Sequence, residues 1–65
     1  MKEMLMKALG SMKMEEENKV LIAMKLNTDE KIYKFFKWLK KEIPEIEVES
    51  NQDKIVGQAV EISRE

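Results

Sequence analysis

Apolar residues along this 65-residue chain follow two rhythms, one helical and one alternating. "MKEMLMKALG" places Met1, Met4, Leu5, Ala8 and Leu9 at helical spacing, and Met12 extends the stripe. Gly10 reads as the stop, because glycine accepts the left-handed conformation common just past a helix. "MEEEN" (14–18) is a polar acidic break and reads as a linker. "KVLIAMKL" (19–26) reads as a strand, with Val20, Ile22, Met24 and Leu26 on one face and Leu21, Ala23 and Lys25 on the other. "NTDE" (27–30) is a helix start. Asn27 or Thr28 can cap it, and Asp29 and Glu30 complement the positive end of the helix dipole. The helix runs to about Ile43, and Pro44 ends it, since the residue before proline avoids helical dihedrals.

"EIEVES" (45–50) alternates strictly, which predicts a half-buried strand with Ile46 and Val48 inward and Glu45, Glu47 and Glu49 in water. "NQDK" (51–54) reads as a turn. "IVGQAVEI" (55–62) has two readings. Ser50 with Asp53 imitates a capping box, and Ile55, Val56, Ala59, Val60 and Ser63 fit helical spacing. Four β-branched residues and Gly57 favour a strand, which is the reading adopted. The expected fold class is therefore α+β: an N-terminal helix, then β-α-β-β, giving a three-stranded mixed sheet with both helices on one face. The whole chain, 1–65, reads as one small domain, with helix and acidic linker over 1–17 and the β-α-β-β unit over 18–65. One sheet face would stand open, which points to a homodimer or a partner.

Composition narrows the chemistry. A chain this short buries only about 60% of the surface its unfolded form exposes. With no cysteine, neither disulfides nor thiolate metal sites can reinforce it. With no histidine, it lacks the commonest general base and metal ligand. Self-association is the remaining reinforcement. No serine, threonine or lysine sits in a nucleophile motif. The isolated Gly10 and Gly57 build no phosphate loop. Carboxylate pairs such as Glu45/Glu47 read as solvated surface. Nothing points to an enzyme or a cofactor. No apolar run is long enough to span a bilayer, and the expected compartment is the cytoplasm.

Charge is dense and balanced, 38% charged with net −1, but unevenly placed. Residues 31–41, "KIYKFFKWLKK", hold all the aromatic residues and five lysines with no acid. Residues 42–65 hold seven acids against Lys54 and Arg64. On a helical projection Ile32, Phe35, Phe36, Leu39 and Ile43 form the inward stripe. Tyr33 and Trp38 flank it. Lys31, Lys34, Lys37 and Lys41 with Trp38 form the candidate surface, and Lys34 and Lys41, one turn either side of Trp38, are within reach of a cation–π contact with it. The bland reading is a core helix with a solvated basic face. Two functional readings stand beside it. One is a small non-catalytic protein-binding module, a regulator, adaptor or inhibitor of antitoxin or phage-encoded type. The alternative is a nucleic-acid-binding protein using the basic Lys/Trp face of helix 28–43, which needs lysines plus a stacking ring. It is weakened by the net charge and by the absence of arginine from that helix. A membrane-surface helix fits the bare peptide, but its apolar face is required for the core.

Overall fold

The computed structural model describes residues 1–65 and contains no strand. Four helices make up the fold: α1 (Lys2–Ser11), α2 (Glu16–Lys25), α3 (Asp29–Glu42) and α4 (Gln52–Ser63). Two single 3₁₀ turns, Glu45–Glu47 and Glu49–Asn51, join α3 to α4. The expected α+β class, with its three-stranded mixed sheet, is thus replaced by an all-helical bundle. The helices close a four-membered ring: α4 packs on α2 and α3, α1 packs on the same two, and the diagonal pairs, α1 with α4 and α2 with α3, are not direct neighbours.

The two N-terminal expectations hold in part. α1 forms and buries Leu5 and Leu9, but Gly10 lies inside it rather than past its end, and no residue has a positive φ. Met1 and Met4 stay exposed. The acidic break is shorter than expected, because α2 starts at Glu16 and takes Glu16 and Glu17 into its first turn, where carboxylates oppose the positive helix end.

Segment 19–26 is the first strand lost. A short apolar run does not distinguish a strand from a buried helix by periodicity. As a helix, its set divides: Ile22 and Leu26, four apart, are fully buried, while Val20 and Met24, also four apart, face outward. Side chains from other elements tie both ends. Lys2 Nζ donates to the carbonyls of Ala23 and Leu26 at the C-terminal end. Gln52 Oε1 accepts from the Glu15 backbone N–H and from Asn18 Nδ2, both at 2.8 Å, at the N-terminal end.

Segment 55–62 is the second. Ile55, Ala59 and Ile62 fall on one helical face and are 0%, 0% and 3% exposed. Their joint burial against α2 and α3 outweighs the β-branched propensities, which are worth only tenths of a kcal/mol per residue. Gly57 is exposed on the outer side. With neither neighbour extended, 45–50 has no strand to pair with, and its backbone groups find local partners. It curls instead. Glu47 N–H bonds Pro44 O at 2.8 Å, and the side chains of Ser50 and Asn51 both donate to Glu47 O. The turn separates two residues that alternation placed together: Val48 is buried and Ile46 points into solvent.

α3 matches its expected span. Thr28 caps it, accepting from Lys31 N–H at 3.3 Å, and Ile43 ends it before Pro44. Ile32 and Phe35 are buried, and Phe36, Trp38 and Leu39 pack half-buried against the core. The core holds eleven apolar residues and no polar one, and every buried side-chain polar atom has a partner.

Candidate functional site

The Lys/Trp strip of α3 does not stay whole. Lys31 is half-buried, and its Nζ donates to Ser63 O at 3.0 Å and to Asn27 Oδ1 at 3.5 Å. It caps a C-terminal carbonyl of α4, where a cation is favoured by the helix dipole. Lys34 Nζ meets Glu65 Oε1 at 3.1 Å and Glu30 Oε1 at 4.0 Å. The hydrogen bond to Glu65, reinforced by its charge and by that of Glu30, holds the Lys34 ammonium above the ordinary lysine value. With that ammonium turned to Glu65, just past α4, ring packing takes the place of a cation–π contact between Lys34 and Trp38. The indole lies 6.3 Å from the Phe35 ring, tilted by 30°, as an extension of the core. Lys37 and Lys41 are exposed and free of ion pairs. Two of the four candidate lysines therefore hold the C-terminal end of the chain, Lys31 at the last residue of α4 and Lys34 at Glu65, the tryptophan seals the core edge, and two lysines remain available.

A feature absent from the sequence reading lies at the other end of α3. The 44–49 turn, the C-terminal half of α3 and the end of α1 enclose a groove of about 790 Å³. Its floor is apolar, from Ala8, Met12, Phe36, Leu39 and Ile43. Lys40 of α3 and Lys13 of the α1–α2 loop line it with positive charge, and Glu45 and Glu49 of the turn line it with negative charge. None of these four charges is in an ion pair. At the mouth stands Ile46, 92% exposed, the most exposed large apolar side chain of the chain. Alternation hid this residue, because it assigned Ile46 inward with Val48. Only the loss of the sheet frees it.

A second groove, about 550 Å³, runs between α1 and α2 with Met6, Val20 and Met24 exposed along it. Its charges are already satisfied: Lys2 binds α2 carbonyls and Lys19 lies 3.7 Å from Glu16. No group of three acidic side chains is gathered as a metal site would need. No helix is long and apolar enough to cross a membrane. No protein-family model, curated protein or solved structure matches this chain.

Proposed function

We propose that this chain is a small non-catalytic protein-binding module, a regulator, adaptor or inhibitor, and that the groove between α1, α3 and the 44–49 turn is its docking face. One observation carries the reading: an apolar floor, two unpaired charged walls and a 92%-exposed isoleucine meet at one place. Apolar patches rimmed by polar groups mark interaction sites. Interfaces draw their affinity from a few apolar anchors set in such a floor. The partner is a protein surface or peptide that offers an apolar side chain to the floor and charges of both signs to the walls. The reason for self-association drawn from an open sheet face is gone with the sheet, so the reading rests on the groove alone.

The nucleic-acid reading has less support. Lys31 and Lys34 are engaged within the fold and Trp38 lies against Phe35, which leaves Lys37, Lys40 and Lys41 with Tyr33, 58% exposed, as the open ring of that helix in place of the tryptophan. Such binding would quench Trp38 fluorescence and weaken steeply with salt.

Selection from a random-peptide display tests the reading. Enriched peptides should carry an apolar anchor flanked by charge, and should move the backbone amide resonances of residues 8–13 and 36–49. Enrichment of nothing, or peptides that move only other residues, would overturn it. Quenching of Trp38 by a single-stranded oligonucleotide would restore the nucleic-acid reading in its place.

A further inference from the structure

We infer that the groove's occupant is a second copy of this chain, in a two-fold dimer where each Ile46 enters the other's groove. This rests on the protein-binding reading and names its partner. Three observations on the groove point to self-complementarity. First, the knob and its socket belong to one surface: Ile46 is 92% exposed at the mouth of its own apolar floor. A two-fold axis beside the mouth carries each isoleucine over the other floor, which is what an isologous interface requires, since a patch must fit itself. Second, the walls are of opposite charge. Lys13 of the α1–α2 loop and Lys40 of α3 supply the basic wall, Glu45 and Glu49 of the turn the acidic one, and none has an intramolecular ion pair. The same rotation sets each basic wall against the other copy's acidic wall, twice. Third, the turn that presents Ile46 is held by its own hydrogen bonds and by buried Val48, so little ordering remains to oppose association.

The size of the molecule sets what the interface must cover. A standard interface takes about 800 Å² from each partner, a large share of a surface of 4685 Å². The dimer must therefore use the whole end of the bundle.

Sedimentation equilibrium from low to high micromolar concentration tests this, with circular dichroism checking that each variant stays folded. Wild type should shift from monomer to dimer, and Ile46→Lys should remain monomeric. Two charge variants give the sharper result. Lys13→Glu with Lys40→Glu makes both walls acidic, and Glu45→Lys with Glu49→Lys makes both basic. All four positions are exposed, so the fold should tolerate the changes. Each variant alone should dimerise at least about tenfold more weakly, because like charges meet twice, and an equimolar mixture should recover the dimer, because every facing pair is again opposite. A wild type monomeric throughout, a dimer indifferent to Ile46→Lys, or charge variants that mixing does not restore would each overturn the inference. A monomer whose groove still takes selected peptides would overturn the second copy alone. A monomer that takes none would overturn the docking face as well.

Discussion

Gly57→Ala should stabilise the protein, and the size of the gain follows from where the glycine sits. Gly57 lies within α4 on the exposed side, its φ is not positive, and a methyl group placed at its Cβ position meets no atom within 4 Å. Packing therefore neither rewards nor opposes the change. What remains is helix propensity: glycine in a helix interior is about 0.8–1.0 kcal/mol worse than alanine, much of it unfolded-chain entropy that alanine removes. For a chain of this length total stability is on the order of 3–10 kcal/mol, so a gain near 1 is large. It should raise the thermal midpoint by about 4–8 °C. Urea unfolding followed by helical circular dichroism, at fixed protein concentration, should show a higher midpoint with an unchanged slope. In a strand the same substitution gains little, since alanine is itself disfavoured there. A midpoint that stays put or falls would refute the helical placement of 55–62.

Three further outcomes follow from the packing. Phe35→Ala removes a fully buried ring that touches Phe36 and Trp38, at centroid distances of 6.2 and 6.3 Å. It should cost about 3–5 kcal/mol, enough to leave much of the protein unfolded by circular dichroism at room temperature. Gln52→Ala deletes the acceptor shared by Glu15 N–H and Asn18 Nδ2, and should cost about 1–2 kcal/mol in urea unfolding. Amide exchange at the start of α2 should speed more than at its end. The raised Lys34 pKa stabilises the fold fully below the ordinary lysine value, and this contribution is lost as pH rises through the raised value. The ammonium is partly exposed, so the alkaline loss should be small. Lys34→Met should remove that part of the alkaline slope while leaving neutral-pH unfolding cooperative.

Helical identity was legible where one face is strongly amphipathic. In α3, the apolar stripe, the Thr28 cap and Pro44 all agree, and the observed helix matches. It was not legible over 19–26 and 55–62, where a short apolar run fits either period and β-branched residues pulled the reading toward strand. In both, the deciding quantity is which residues are buried together, Ile22 with Leu26 and Ile55 with Ala59 and Ile62, and that is a tertiary fact. The error over 45–50 followed from those two, because alternation signals a strand only when a neighbour exists to pair with. The candidate surface shared this fate. Lys31 and Lys34 look free on a helical wheel, and only the position of the α4 C-terminus shows what they hold. Ile46 looks buried on a strand, and only the 3₁₀ turn turns it outward.

The most direct measurement is an isotope-filtered nuclear Overhauser experiment on an equal mixture of labelled and unlabelled protein at a concentration where sedimentation reports dimer. Groove docking by a second copy predicts cross-copy contacts from the Ile46 methyl groups to the ring of Phe36 or the methyls of Leu39. A dimer whose cross-copy contacts lie instead at Met6, Val20 and Met24, or a sample that remains monomeric, would contradict it.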